Sequence, residues 1–500
     1  MTEISQAAMP ASGTDTSSAS DSHGSNVLEG RTPGGDRLVI GLLLVSAFVV
    51  ILNETIMGVA IPYLVDALSI TENAAQWLTT AFMLTMAVVI PITGFLLQRF
   101  NTRPIFLAAM TLFSIGTLVS ALAPGFSMLL IGRVIQASGT AIMMPLLMTT
   151  VLTLVPPATR GRTMGNISIV ISVAPAIGPS ISGLILSVLE WRWMFGLVLP
   201  IAIAALVLGA IKVRNVTTPR KVPLDVLSVI VSAFAFSGIV YGLSSLATTP
   251  VAAAAALTVG VLSLVAFILR QVSLQKVERA LLDLRTFLAR TFTLSIVMMA
   301  ISMMAMFGSF IVLPFYLQKA LDLDVLGTGL VLLPGGLLMG VLAPIVGRIY
   351  DRIGPTALLV TGSIIVSGVF WAFTLLSVST PVWLVVVGHM TLSLGLALLF
   401  TPLFTAGLGA LKPNLYSHGS AVLGTVQQLA GAAGTAVFVT VMASRTGALL
   451  QDGAAEAVAT TGGVTTAFMY GAVISMFAII VAFFIRKPAD NGLAPAPMAH

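Results

Sequence analysis

Two stretches of the chain, 90–100 (IPITGFLLQRF) and 343–353 (APIVGRIYDRI), carry the same pattern. Pro91, Gly94 and Arg99 of the first align with Pro344, Gly347 and Arg352 of the second at one constant spacing of 253 residues (91 to 344). Gly132-Arg133 and Gly139 align with Gly388-His389 and Gly395 at a spacing of 256 (133 to 389). Coincidence among Gly- and Pro-rich apolar segments is the alternative, but charge, spacing and topology agree on a duplication. Paired repeats of membrane helices, with a substrate path between them, are a common plan of secondary transporters.

The composition demands lipid as solvent. Of 500 residues, 57% are hydrophobic and 8% charged; a soluble domain carries roughly 25% charged residues. One giant soluble core fails on size, because cores stop growing near about 250–300 residues. Within a bilayer the polar cover is unnecessary and the backbone satisfies itself in helices. The expected fold class is therefore an all-α polytopic membrane protein.

A crossing takes about 20 apolar residues. Reading from charge to charge predicts fourteen spans, near 38–61, 74–97, 104–123, 127–155, 164–189, 193–211, 224–246, 251–270, 289–317, 326–347, 356–378, 381–411, 418–443 and 466–485. The repeat pairs spans 1–6 with spans 9–14. The expected organisation is a disordered cytoplasmic tail (1–37), a six-helix bundle (38–212), two inserted helices (213–272), a second six-helix bundle (273–487) and a short cytoplasmic tail (488–500). The first apolar run is too long for a signal peptide, so the first span is expected to stay in the protein.

Charge supports the count. With the N-terminus inside, 20 of the 24 basic residues fall on the cytoplasmic side, as the positive-inside rule requires. The implied location is a cytoplasmic membrane with both termini inside. The net charge of +6 is then a topology signal. Its scatter over short loops argues against a nucleic-acid partner.

Several chemistries are excluded. Cysteine is absent, which removes disulfides, iron–sulfur clusters and cysteine-bound zinc. The four histidines, His23, His389, His418 and His500, are too scattered in sequence for a histidine metal site. No lysine follows a glycine, so no phosphate-binding loop for ATP exists. No nucleophile–base set points to a membrane enzyme, and no ring of charge or carbonyl filter to a channel. No cofactor is expected.

Motifs then narrow the class. Span 1 carries LNETIMGVAIP (52–62), the loop after span 2 GFLLQRFNTRP (94–104), and span 4 RVIQASGTA (133–141). Span 5 carries APAIGPSISG (174–183), followed by WRWMFGLVLP (191–200), and span 13 lies within LYSHGSAVLGTVQQLAGAAGTA (415–436). In order and spacing these resemble the major facilitator superfamily, and within it the fourteen-span drug:proton antiporter-2 family of lincomycin-resistance-type exporters. The resemblance runs from about residue 38 to 487. It implies proton-coupled efflux of lipophilic drugs or dyes, among them cations, with protons, small lipophiles and the bilayer as partners and no ATP. A dedicated exporter of one metabolite or lipid in the same fold is the alternative. The sequence departs from the family pattern at Asn53, Gln98 and Asn101, and at Ala137 and Ser182, where the family has acids and glycines. The second-half loop keeps its acid in Asp351-Arg352.

Two charges lie well inside the predicted spans, Glu54 and Arg133, while Asp225 lies at a span mouth. A charge at bilayer depth costs at least about 2.5–3.5 kcal/mol and needs a partner or a wet cavity. At a rise of about 1.5 Å per residue both fall in the outer half, at similar depth. Burial favours a neutral carboxyl and a nearby arginine a charged one. Glu54 is thus the candidate proton-coupling acid, tuned by Arg133. A permanent Glu54–Arg133 ion pair holding the first bundle together is the competing account.

His389, the repeat equivalent of Arg133, is a candidate second titrating group or a neutral packed histidine. Asn53, Gln427 and Gln428 are candidate polar substrate contacts or interhelical hydrogen bonds. Met143 in span 4 and Met303, Phe307 and Phe310 in span 9 suit a wall for varied lipophiles, with ordinary packing as the other reading. Pro175, Gly178, Pro179 and Gly183 suit a bent span 5 that packs closely and moves. Arg99, with Arg103, and Asp351 with Arg352 are candidate cytoplasmic latches, or plain positive-inside anchors.

Overall fold

The computed structural model describes residues 33–487, apart from 218, 221, 247 and 248. Both expected tails, up to residue 32 and from 488, lie outside the described residues, as does Lys221. Fourteen long helices follow in order. They are α1 (Pro33–Leu68), α2 (Glu72–Arg99), α3 (Thr102–Ala121), α4 (Phe126–Leu154), α5 (Arg160–Val188), α6 (Val198–Lys212), α7 (Val226–Ser244) and α8 (Pro250–Leu274). Then come α9 (Arg290–Lys319), α10 (Val325–Ile353), α11 (Thr356–Phe373), α12 (Val382–Gly409), α13 (Tyr416–Gln451) and α14 (Glu456–Ala482). Among the described residues no strand occurs.

Thirteen of these segments are long and apolar enough to cross a membrane. The remaining helix, α5, has 29 residues, and its side chains at 176, 179 and 180 lie outside the described set. α1 starts at Pro33, ahead of the apolar run at Leu38, because Asp36 sits in its first turn and suits the positive helix end. α13 runs to Gln451, well past the expected 443, since its last turns are polar yet still helical.

The helices pack in two groups. α1 packs on α4, α5 and α6, while α3 packs on α4 and α6, and α2 on α4. In the second group α9 packs on α12, α13 and α14, α12 on α10 and α11, and α14 on α11 and α13. The groups meet chiefly where α5 packs on α10 and α2 on α13. These two contacts are equivalents under the sequence repeat, so the molecule has an approximate two-fold relation. The α7–α8 hairpin leans on α2 and α13.

Glycine decides how closely α5 and α10 approach. A Cβ on Gly347 would collide with the carbonyl oxygen of Gly161, and one on Gly165 would lie 2.5 Å from the Ala343 oxygen. With no side chain to separate them, the backbones touch, which is how helices associate where lipid offers no hydrophobic drive.

Candidate functional site

Arg133 is 1% exposed, at the second turn of α4. Its Nη1 donates to Gln136 Oε1 at 2.7 Å and to Asn53 Oδ1 at 3.4 Å. Its Nε donates to the Leu78 carbonyl at 3.5 Å, and the guanidinium lies 4.1 Å from the Phe82 ring centroid. Gln136 in turn donates to Thr117 Oγ1 at 2.8 Å. Four helices, α1 to α4, thus supply dipoles and a π face to one buried cation. Such a site is tolerable because nearly every polar group in it has a partner.

Glu54 is the twenty-second of the 36 residues of α1 and is partly exposed. Among the described residues the ion pairs are Glu190–Arg192, Asp225–Arg270, Asp283–Arg285 and Lys319–Glu456. Glu54 and Arg133 are not joined by an ion pair or a hydrogen bond in this conformation. Asn53, one residue earlier and about 100° round the helix, takes the guanidinium bond.

His389 is 3% exposed near the start of α12. Its Cδ2–Nε2 edge is wedged against Gly335, where a Cβ would lie 2.7 Å from Nε2, and Nδ1 has no partner. It borders a narrow cleft between the helix groups, together with Pro175 and Phe310. Phe310 is 38% exposed. Phe307 lies with its ring against Gly431. Met143 and Met303 are sealed in the continuous core, so they give this conformation packing and no cleft surface. Gln427 and Gln428 are partly exposed on α13, and Gln428 donates to Met86 Sδ at 3.4 Å.

In α5, Gly178 meets the Thr55 side chain of α1 so closely that a Cβ there would clash. Gly183 faces open space, with nothing within 4 Å of a would-be Cβ. The side chain of Pro179 lies outside the described residues.

One end of the molecule is closed. Asp351 accepts the backbone N–H groups of Gly161 at 2.8 Å and Arg162 at 2.9 Å, so a carboxylate of α10 caps the first turn of α5. Arg352 is exposed beside it, and Arg99 ends α2 partly exposed. Arg160 donates to the Tyr416 hydroxyl at 3.2 Å, Thr149 to Ser420 at 3.2 Å, and Thr401 to Ser168 at 2.9 Å. Gln98 meets His418 at 2.7 Å and the Asn414 carbonyl at 3.4 Å. Among the described residues these, with Gln428–Met86, are all the side-chain hydrogen bonds that join the groups. All but that last lie toward the end that carries Arg99, Arg160, Arg352 and Lys412.

Sequence reasoning missed the Gln98–His418 contact and the bond of Gln136 to Arg133. The repeat held a signal for the first, because Gln98 is the equivalent of Asp351, 253 residues on (98 to 351).

The family model for the Major Facilitator Superfamily matches residues 43–435. The chain belongs to the Major Facilitator Superfamily. This transporter is 39% identical over 459 residues to the uncharacterized MFS-type transporter YcnB of Bacillus subtilis (strain 168), covering 91% of this chain and 96% of that one. It is 38% identical over 466 residues to the lincomycin resistance protein LmrB of Listeria monocytogenes, covering 91% of this chain and 98% of that one. Among solved structures, the proton:xylose symporter XylE superposes with a TM-score of 0.63 at 15% identity, covering 91% of this chain and 97% of that one. That likeness speaks to the fold alone. A multi-pass membrane transporter thus accounts for the helices, the repeat and the closed end together.

Proposed function

We propose that this transporter exports lipophilic drugs or dyes, among them cations, across the cytoplasmic membrane in exchange for protons. The basic-rich end is the cytoplasmic one in this reading, both termini lie inside, and the two helix groups rock about a central site. The carrying observation is Glu54, a partly exposed carboxyl group deep in α1, next in sequence to the Asn53 that bonds a buried arginine whose nearest partners are uncharged. Arg133 is fixed by dipoles and so stays in place whether Glu54 is protonated or not. A dry setting favours the neutral carboxyl and a nearby cation the charged one. Alternation between wet and dry surroundings therefore loads a proton on one side and releases it on the other.

The names of relatives support the substrate class, since one is called a lincomycin resistance protein and another a multidrug resistance protein B homolog. His389, Phe310 and Pro175 at the cleft, with Gln427 and Gln428 on α13, are the proposed substrate surface. Asp351 and the Gly178 contact serve the conformational change.

The test is efflux of ethidium or lincomycin from energised cells, with and without a proton uncoupler. Wild-type export stops with the uncoupler, and Glu54→Gln at normal expression is inactive. Coupled export by Glu54→Gln would end its proton role. Transport of one compound from a broad panel would favour a dedicated exporter.

A further inference from the structure

Gln98 and His418 meet across the two helix groups at the basic-rich end. The Gln98 amide nitrogen lies 2.7 Å from His418 Nε2 and 3.4 Å from the Asn414 carbonyl oxygen. Both bonds use the –NH2 group as donor, so Nε2 of His418 must offer a lone pair. A proton on that nitrogen would set N–H against N–H. Turning the amide round would present its oxygen to the imidazolium, but would set that oxygen against the Asn414 carbonyl. The contact is therefore made for neutral histidine.

The surroundings isolate this ring and leave it a route to water. His418 is 4% exposed; its Nδ1 makes no well-formed hydrogen bond and faces Gly94, where a Cβ would lie 3.3 Å away, with the Leu281 backbone beside the ring. A small, partly open cleft at the same end is bordered by Gln98 and His418 and by the charged groups Arg220, Glu278, Asp283 and Arg285. Asp283 and Arg285 pair at 2.5 Å, so one attracts and the other repels an imidazolium.

Both connections of the inserted hairpin converge here. The Arg220 N–H donates to the Gln98 carbonyl at 2.8 Å. Gln271 Oε1 accepts from the N–H groups of Leu281 at 2.7 Å and Leu282 at 3.3 Å, and Gln271 donates to Ser228. Arg270 holds Asp225 through two bonds of 2.7 Å. The hairpin thus braces the segments on either side of His418. The repeat-equivalent contact, Asp351 on Gly161 and Arg162, titrates through its carboxylate acceptor and not through its backbone donors.

We propose that Gln98 and His418 form a proton-sensitive latch, braced by the α7–α8 hairpin, that opens the basic-rich end when His418 gains a proton. The assignment of that end to the cytoplasm rests on the export reading above; the latch itself does not. Acidification of the cytoplasm then favours the inward-open state, the state that takes up drug.

The chain lacks native cysteine, so a double variant Phe100→Cys, Lys412→Cys carries two spin labels at exposed sites flanking the latch. Distances between them are measured on the full-length protein in nanodiscs from about pH 8 to about pH 5, the range where imidazole titrates. The expected result is loss of the short-distance population as pH falls. Added His418→Gln, whose amide oxygen accepts the same bond at every pH, keeps the short distance throughout. Added Gln98→Glu reverses the response, because a carboxylate grips the imidazolium. Distances that ignore pH in the parent, or that respond alike with and without His418→Gln or Gln98→Glu, overturn the latch. No substrate or export assay enters this readout, so it fails or stands apart from the role of Glu54.

Discussion

Asp351 accepts the Gly161 backbone N–H at 2.8 Å, across the seam between two helix groups. The bond turns the first turn of α5 into a docking site for a carboxylate of α10. Each opening of that end must break it, together with its companion to Arg162. Charge-assisted hydrogen bonds of this kind contribute about 1.5–3 kcal/mol. Asp351→Asn keeps the size and loses the charge. It is expected to shift the conformational balance toward opening at this end by roughly 1 kcal/mol, about fivefold in population. Double electron–electron resonance between labels on the two groups measures this; an unchanged distribution would contradict it.

The glycine contact beneath that bond sets a steric limit. A Cβ on Gly347 would overlap the Gly161 carbonyl, which belongs to backbone and cannot swing aside. Gly347→Ala is expected to hold α5 and α10 apart at a cost of about 1–3 kcal/mol to the closed form. Accessibility of an engineered cysteine at Gly409, on the same end, should rise in this variant. Equal labelling rates would show that the contact is not needed for closure.

Arg133 supports its own pocket. Arg133→Lys keeps the charge but loses the planar fork that reaches Gln136, Asn53 and Leu78 at once. At least one buried acceptor is left unsatisfied, which costs about 1–3 kcal/mol. A melting temperature lowered by several degrees in detergent is the expected reading, and an unchanged one would show that water repairs the gap.

The hairpin anchor has a pH signature. Asp225 lies just outside α7, where the Arg270 hydrogen bonds, with help from Ser228, lower its carboxyl to about 2. An unfolded aspartate titrates near about 3.9. A lowered folded value means stabilisation that is complete above about pH 4 and is lost as pH falls toward 2. Asp225→Asn should remove this acid-sensitive part, leaving the α7–α8 hairpin equally susceptible to limited proteolysis at about pH 5 and about pH 3, while the parent loosens only at the lower pH. The same acid dependence in both proteins would contradict the assignment.

The helices were legible because lipid imposes a simple requirement: length, apolarity and charge at the ends. Motif order then identified the family through residues such as Arg133 and Gly178. Side-chain partners were not legible, because depth along a helix can be counted but its rotation cannot. Glu54 and Arg133 were matched by depth, yet it is Asn53 that hydrogen-bonds the guanidinium. The same limit hid Gln98 and His418, which are 320 residues apart and meet only because α2 packs on α13. Methionines gave no signal of their own, since Met143 and Met303 fill the core while Met306 borders the cleft. Composition does not distinguish a methionine that packs from one that lines a cavity.

The proposed exchange turns on a proton moving against the drug through Glu54. The most direct measurement uses purified protein in liposomes with a pH-sensitive dye inside. Addition of drug to the wild type should drive proton movement opposite to drug transport, and Glu54→Gln should bind drug but move no protons. Undiminished drug-driven proton flux in Glu54→Gln, or none in the wild type while drug is transported, would contradict the account.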